Sequence, residues 1–221
     1  MKFKTPTLLT ITAPTCAGKS VLLNHLIAVH DCARVVSTTT RPRRAGEVDG
    51  VDYFFITEEE SRRLEETNSF VELVKFGSAR YGVTCNELTR VLQTGRTPCL
   101  IIEPQGVTKY KEYCNSIGIS LFSVFVMMPE KSRIDRLIAR TVKDLHSVEK
   151  SDRNTTLQVV RSHCNRLASV LGDERHWQSL WSWDVLVKGD DVKRAGSDIE
   201  ASIKWKETRT QIFPSARGFE L

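Results

Sequence analysis

The segment Ala13–Ser20 constrains the fold of this 221-residue chain more than any other part of its sequence. A β-rich apolar run, Thr7–Ala13, precedes the segment, and a helical pattern with one apolar face begins at Lys19. The segment between them matches the phosphate-loop pattern, in which two glycines separated by four residues are followed by Lys and Ser or Thr. A strand, this loop and a helix in that order predict a site for a nucleoside triphosphate.

Such a loop binds phosphate mainly through its backbone, because successive N–H groups surround the anion and the helix N-terminus adds positive potential. Lys19 is expected to reach the outer phosphates and the Ser20 hydroxyl to bind Mg²⁺. Ala13 replaces the first glycine, and Gly18 is the position that demands glycine. The predicted triphosphate site consists of eight consecutive residues: Ala13, Pro14, Thr15, Cys16, Ala17, Gly18, Lys19 and Ser20.

Apolar strands alternate with helical patterns along the chain, which predicts a parallel α/β sheet. Strands are expected at Thr7–Ala13, Arg34–Thr40, Val51–Ile56, Phe70–Phe76, Cys99–Glu103, Leu121–Met128 and Val185–Val187. Helices are expected from Lys19 and at Thr57–Thr67, Asn86–Gln93, Val107–Cys114, Glu130–Arg140, Leu157–Leu171 and Ala195–Lys206. The polar stretch 141–156 has little periodicity and is interpreted as a mobile flap.

The balance of charge fits a site for anions. Lys plus Arg (32) minus Asp plus Glu (27) leaves +5. Residues 131–166 contain nine Lys/Arg and four Asp/Glu, so this stretch carries the whole excess and the remaining residues sum to zero. The excess is too mild to indicate a nucleic-acid partner, although binding through 131–166 stays open as an alternative.

Cysteine usage and hydropathy favour a cytoplasmic protein. The six cysteines lie far apart, without the Cys/His spacing of a zinc site: Cys16, Cys32, Cys85, Cys99, Cys114 and Cys164. The N-terminus lacks the pattern of a secretory signal, and the longest apolar stretches are too short to span a bilayer. We therefore expect reduced thiols, a cytoplasmic location and no membrane partner.

Three arginines, Arg41, Arg43 and Arg44, lie within four positions of a second motif, Ser37–Glu47. Arginine forks pair with phosphate oxygens in two-point geometry, and Pro42 stiffens the segment. Taken alone, the same pattern fits a solvated basic turn equally well. The motif therefore offers a second phosphate site without proving one.

Two phenols and one carboxylate follow the arginine motif: Tyr53, Tyr81 and Glu72. A carboxylate is the natural partner of a base edge that carries two adjacent N–H donors. Guanine presents that edge, whereas adenine, cytosine and thymine do not. The carboxylate therefore favours a guanine nucleotide as the second ligand.

Five segments of the sequence resemble the guanylate kinase family, the P-loop enzymes that phosphorylate GMP and dGMP with ATP: APTCAGKS, STTTRPRRAGEVDGVDYFF, FVELVKF, RYGVT and EPQGV. They run in family order from about residue 8 to 110, and the resemblance weakens beyond. It implies a P-loop kinase fold with a parallel core sheet flanked by helices, a small mixed α/β subdomain for the monophosphate and a helical lid. It also implies ATP as phosphate donor and Mg²⁺ as cofactor.

The resemblance implies one guanylate kinase-like domain over residues 1–221. Its expected parts are a core at 5–36, 95–135 and 167–207, an acceptor-binding subdomain at 37–94, a lid with an insertion at 136–166 and a C-terminal tail at 208–221. Residues 141–160 make this lid longer than is usual in the family. A monomer and a homodimer both remain open.

Roles at the acceptor site follow from the same resemblance. Arg41 and Arg44 would grip the acceptor phosphate together with Tyr53 and Tyr81. The remaining residues would surround the guanine base: Ser37 near it, Glu72 on its N1 and N2 hydrogens, and Val83 and Glu103 on its base-contact positions. Charge on the transferred phosphoryl group would be neutralised by Lys19, Arg41 and two lid arginines, which are Arg140 and either Arg166 or its competitor Arg161.

Several positions depart from the family pattern. Val83 replaces a Ser or Thr whose hydroxyl bonds the guanine O6, and Glu103 replaces an Asp. Lys188 replaces an Asn that helps to hold the adenine of ATP, and Arg43 replaces another residue type. Val83 leaves open a kinase for a different nucleoside monophosphate or for a ribose bisphosphate. A non-catalytic binding module is a further alternative, which the retained Lys19, Arg41, Arg44, Tyr53 and Tyr81 disfavour.

Overall fold

A computed structural model of the protein describes residues 3, 5–44, 46–148 and 153–212. The described strands are β1 (Thr7–Thr12), β2 (Cys32–Arg34), β3 (Thr38–Thr39), β4 (Phe54–Phe55), β5 (Phe70–Phe76), β6 (Ala79–Thr84), β7 (Thr97–Ile101), β8 (Ser120–Met127) and β9 (Val185–Lys188). The described helices are α1 (Lys19–Val29), α2 (Glu58–Glu66), α3 (Cys85–Gln93), α4 (Gly106–Ser116), α5 (Glu130–Val148), α6 (Arg153–Leu171), a 3₁₀ helix (Asp173–Leu180) and α7 (Val192–Ile212).

The core is a five-stranded parallel sheet in the order β2-β7-β1-β8-β9. Strand β1 lies at its centre and is buried throughout. Its residues alternate between two apolar clusters: Leu9 and Ile11 pack in the cluster that includes α1 and α7, and Leu8 in the one that includes α3 and α4. Because the strands are parallel, the segments that follow β1, β7, β8 and β9 meet at one edge, where ligands bind in such folds.

A second, four-stranded sheet has the order β4-β3-β6-β5 and is mostly antiparallel. The strand predicted at Arg34–Thr40 is wrong, because the chain leaves the core sheet between β2 and β3. Val35 N–H still bonds Cys99 O at 2.9 Å. Val36 N–H instead donates to the buried Glu87 Oε1 at 3.0 Å, and β3 then joins the second sheet.

The second sheet also corrects two other expectations. Strand β6 was not predicted, although it pairs with both β5 and β3. The strand expected at Val51–Ile56 is reduced to β4 because turns occupy the residues before it, among them the bond from Gly50 N–H to Tyr53 O at 2.9 Å. Backbone pairing across the sheet, rather than local alternation, determines these strands.

Helices α5 and α6 pack against each other and form what we call the helical hairpin. The flap expected at 141–156 is wrong for 141–148 and 153–156, which are helical. The stretch 141–148 contains no Gly or Pro, and the Thr141 hydroxyl donates to Leu137 O at 2.8 Å. Residues 149–152 of that expectation lie outside the described residues.

The last helix, α7, begins before and ends after the predicted span Ala195–Lys206. Its C-terminal part includes 208–212, so the tail expected at 208–221 is wrong for these five residues. Residues 213–221 of that tail lie outside the described residues.

Candidate active site

The phosphate loop connects the central strand β1 to helix α1. Gly18 caps the helix with φ 97° and ψ 12°, a left-handed conformation that glycine adopts without steric cost. Cys16 also has a positive φ, 62°, and Ala17 N–H donates to Pro14 O at 3.2 Å. Ala13 is only 1% exposed and belongs to the core cluster, so its methyl group is accommodated by packing. The chain therefore curls tightly at the helix N-terminus.

The two polar side chains that end the motif lie at the first turn of α1. Lys19 Nζ donates to Ala13 O at 3.1 Å, which folds the ammonium back over the loop. Ser20 is exposed, so its hydroxyl is accessible from outside. Both groups therefore lie beside the backbone N–H groups of the loop.

Two neighbours of the loop were missed by sequence reasoning. Gly189 follows β9, and a Cβ at this position would collide with Ala17 O. Arg136 Nη1 donates to Cys16 O at 3.4 Å. The sequence could have indicated Arg136, because it lies four residues before Arg140 and therefore on the same side of α5.

The acceptor motif is organised around Arg41. Its guanidinium donates to both carboxylate oxygens of Glu47, at 2.8 and 3.0 Å, and Arg44 N–H donates to the same carboxylate at 2.8 Å. Although burial disfavours both charged forms, the pairing raises the pKa of Arg41 and lowers the pKa of Glu47. The motif is therefore a charged, hydrogen-bonded loop rather than a freely solvated turn.

The two tyrosines meet beside this arginine. The Tyr53 and Tyr81 rings are 6.1 Å apart, and the Arg41 guanidinium lies 5.5 Å from the centre of the Tyr53 ring. Burial, and then the neighbouring Tyr81, raise the pKa of Tyr53, so its phenol stays protonated and able to donate a hydrogen bond. The structure thus brings two phenols and a guanidinium, separated in sequence, to one place.

Residues predicted to surround the base lie where β5, β6 and α4 meet. Val83 pairs with Glu72 across the strands, and the register Thr38↔Gly82 sets Ser37 alongside Val83. Both Glu72 carboxylate oxygens lie 2.8 Å from where a Cβ on Gly106 would stand.

The carboxylate of Glu72 is held in an unfavourable environment. Burial raises the pKa of Glu72, the positive Lys109 opposes that rise and the neighbouring Glu103 adds to it. Glu72 and Glu103 are therefore close enough to interact, and Val83 is almost fully buried. A ligand with N–H donors would relieve this carboxylate.

A cavity of about 690 Å³ lies between the acceptor motif and the helical hairpin. Its lining includes five arginines, which define what we call the arginine cavity: Arg41, Arg43, Arg44, Arg140 and Arg166. Arg161 is absent from the described lining, so the structure places Arg166 rather than its competitor at the cavity.

Positive charge accumulates in the arginine cavity. Burial lowers the pKa of Arg166, Arg140 and Arg44 lower it further, and the carboxylate of Asp144 opposes this decrease. Cys16 of the phosphate loop is also near enough to influence Arg166. Because like charges so close repel one another, the cavity favours an anion with several oxygen acceptors.

A second cavity of about 600 Å³ borders the phosphate loop at Pro14. Lys188 and Asp190 from the segment after β9 line it, together with Arg133 from α5. Lys188, whose position departs from the family pattern, is thus exposed beside the loop.

Residues 5–205 match the family model described as guanylate kinase. The chain belongs to the guanylate kinase family. It is 34% identical over 201 residues to the guanylate kinase of Sulfurimonas denitrificans, covering 90% of this chain and 87% of that protein. The guanylate kinase of Chlamydia muridarum is 32% identical over 153 residues, 67% of this chain and 72% of its own.

A solved structure shares the fold. The crystal structure of guanylate kinase from Anaplasma phagocytophilum matches with a TM-score of 0.60 and 22% identity, over 92% of this chain and 88% of that one. This likeness confirms the predicted fold class, with its parallel core sheet flanked by helices.

Family membership confirms the prediction of a nucleoside monophosphate kinase that phosphorylates GMP with ATP. The binding-module and ribose-bisphosphate alternatives are not favoured. Within the described part of the chain, no helix has the length and apolar character needed to cross a membrane. The same residues contain no cluster of three His, Cys, Asp or Glu side chains that could hold a metal ion.

Proposed function

We propose that this guanylate kinase-family protein transfers the γ-phosphoryl group of ATP directly to the phosphate of GMP or dGMP. The observation that carries the proposal is the arginine cavity, which joins the acceptor motif to the helical hairpin and whose Arg166 is near enough to Cys16 of the phosphate loop to be influenced by it. A loop for a triphosphate and a cavity for a second phosphate suit phosphoryl transfer between two nucleotides.

The acceptor phosphate would be held by Arg41 and Arg44 and by the phenols of Tyr53 and Tyr81. Its own anionic oxygen attacks the γ-phosphorus, so no general base is needed. The new P–O bond forms as the bond from the γ-phosphorus to the bridging oxygen breaks, and ADP leaves with that electron pair. Catalysis consists of positioning and charge neutralisation.

Charge on the γ-phosphoryl group would be neutralised from two sides. Lys19 approaches from the phosphate loop, and Arg140 and Arg166 approach from the helical hairpin. Arg136, which contacts Cys16 O, would anchor the hairpin to the loop. We further propose that residues 136–166 act as the lid, which excludes water so that ATP is not hydrolysed.

Guanine recognition would depend on Glu72, whose carboxylate accepts hydrogen bonds from N1–H and the N2 amino group. Burial and the neighbouring Glu103 disfavour the charged form of this carboxylate, and hydrogen bonds from the two guanine donors would offset that cost. Ser37 and Glu103 would border the base, while Val83 offers it an apolar surface and no hydroxyl.

Mg²⁺ fits this site as a partner of the triphosphate. The exposed Ser20 hydroxyl offers one hard oxygen ligand beside Lys19, and Mg²⁺ in such sites takes its other ligands from phosphates and water. When bound, the ion would neutralise phosphate charge.

Six free thiols support the cytoplasm as the location, since thiols stay reduced there.

The decisive experiment is a transfer assay with ATP and Mg²⁺ against all ribo- and deoxyribonucleoside monophosphates. We expect turnover with GMP or dGMP, and a loss of about 10³-fold or more in kcat for Lys19→Ala. Lys204→Ala is the matched control, because this lysine is 73% exposed on α7. No turnover with either guanine nucleotide contradicts the substrate, and full activity of Lys19→Ala contradicts the mechanism.

A further inference from the structure

One carboxylate oxygen links the two helices of the helical hairpin at the edge of the arginine cavity. His163 Nε2 on α6 lies 3.1 Å from Asp144 Oδ2 on α5. The same oxygen lies 3.7 Å from Arg140 Nε, one helical turn earlier on α5. Asp144 therefore stands between a histidine of the neighbouring helix and an arginine of the cavity.

The direction of the histidine bond follows from chemistry. An ionised aspartate only accepts hydrogen bonds, so His163 Nε2 carries the hydrogen and donates it. His163 is only 6% exposed, and its Nδ1 has no hydrogen-bond partner among the described residues. Burying an imidazole with one nitrogen unpaired is unfavourable, and an apolar side chain would serve packing better. The bond to Asp144 accounts for a histidine at this position.

Asp144 is the one acidic residue in the described lining of the arginine cavity. A mobile carboxylate among five guanidinium groups would pair with whichever was nearest and compete with phosphate. Held by His163, Asp144 faces the Nε side of Arg140, which leaves the two terminal nitrogens of that guanidinium available to phosphate oxygens.

The ion pair alone would not orient the arginine. Arg140 is 55% exposed and Asp144 39% exposed, and solvated pairs of this kind hold geometry weakly. The buried partner supplies the rigidity, because His163 lines the same cavity but is only 6% exposed, and it fixes the carboxylate to which Arg140 is drawn.

We propose that Asp144 and His163 are positioning residues that orient the Arg140 guanidinium toward the transferred phosphoryl group. This inference rests on the proposed function of Arg140. Asp144 lies in the stretch 141–160 that lengthens the hairpin. This extension would therefore help to position the positive charge of Arg140. Neither residue touches the reacting atoms.

A purely structural role, in which the pair only ties α5 to α6, makes different predictions. His163→Leu removes the donor, whereas His163→Gln retains an N–H donor near the Nε2 position. If the pair positions Arg140, kcat of the folded enzyme falls in His163→Leu, recovers in His163→Gln, and depends on Arg140 being present.

The test is a double-mutant cycle in GMP turnover with wild type, Arg140→Ala, His163→Leu and the double variant, with His163→Gln alongside. We expect His163→Leu to lower kcat roughly tenfold with the KM for ATP within about twofold, and His163→Gln to recover to within about threefold of wild type. In the Arg140→Ala background, His163→Leu should change kcat by less than about twofold.

Two results overturn the positioning role. One is an equal effect of His163→Leu with and without Arg140; the other is a His163→Gln variant as slow as His163→Leu at the same folded fraction. Asp144→Asn, which keeps the side-chain shape, replaces His163→Leu in the cycle if the latter does not fold. A wild type inactive on guanine nucleotides overturns both proposals, whereas an additive cycle in an active enzyme overturns this one alone.

Discussion

The phosphate loop and the arginine cavity are both proposed to bind phosphate, but they are built in different ways. The loop is eight consecutive residues whose backbone conformation depends on Gly18 and on close packing against Gly189. The cavity draws side chains from 41–44, Arg140 and Arg166, which tertiary packing brings together. A small backbone displacement should therefore harm the loop, whereas the cavity should respond to the charge of each side chain.

The largest effect should come from deleting a cavity arginine. We expect Arg166→Ala to lower kcat about 10²–10³-fold, because a guanidinium that meets developing charge contributes on that scale. Arg161→Ala is the matched control on the same helix and should stay within about twofold. Steady-state kinetics with GMP compares the two variants. An equal loss of kcat in both would contradict the assignment of the catalytic role to Arg166 rather than Arg161.

A backbone change at the loop should have the next largest effect. We expect Gly189→Ala to reduce kcat/KM for ATP by about 10²-fold, because its Cβ would force the Ala17 carbonyl to move and misplace the loop by about an ångström. Gly77→Ala is the control: its φ of 62° strains the new residue, but a Cβ there has open space. Kinetics and urea unfolding of both variants separate the effect of backbone strain from that of the clash with Ala17. Normal ATP kinetics in Gly189→Ala would show that the loop conformation does not depend on close packing against Gly189.

A smaller effect should appear with pH at the base site. Because the pKa of Glu72 is raised, its carboxylate takes up a proton at a higher pH than an ordinary glutamate. We expect the KM for GMP to rise several-fold as pH falls through that raised pKa, since the protonated group no longer accepts both guanine donors. Glu72→Gln should show a high KM without this pH dependence. An identical profile in both proteins would place base recognition elsewhere.

Ionisation of Glu72, which should favour GMP binding, should lower the stability of the protein without nucleotide. A raised pKa in the folded state means that the contribution of Glu72 to the free energy of unfolding is fully present below the pKa of the unfolded chain. It is lost as pH rises through the folded pKa. Urea unfolding without nucleotide should therefore find the difference between wild type and Glu72→Gln largest at neutral pH, with the Gln variant more stable.

Local patterns in the sequence were enough to predict the phosphate loop and much of the sheet. The strand–loop–helix order around Lys19 needs only neighbours within a few residues, and β1, β5, β8 and β9 follow their predicted runs closely, whereas β7 begins and ends two residues before its predicted span. The residues of the acceptor motif fitted a solvated basic turn equally well, and the resemblance to the family was needed to assign Arg41 and Arg44 a role; the structure shows that both interact with Glu47 within one loop.

Elements that depend on distant partners were predicted poorly. The run Arg34–Thr40 reads as one strand. However, Val36 N–H donates to the buried carboxylate of Glu87, 51 residues further along the chain, instead of to a neighbouring strand. The run is therefore shared between two sheets. Likewise, residues 141–148 read as a flap because polar side chains dominate them, yet they are helical and pack on α6, where one contact is the polar pair of Asp144 and His163.

The sequence by itself was enough to predict the chemistry that we propose for this protein: a triphosphate loop, arginines for a second phosphate and a carboxylate for guanine. Only the tertiary structure decided which residues share a site. It placed Arg166 rather than Arg161 in the cavity, set Gly189 and Arg136 against the phosphate loop, and connected Asp144 to His163. The physical reason is distance along the chain: a loop conformation is determined by residues a few positions apart, whereas these contacts exist only after the sheet and hairpin have packed.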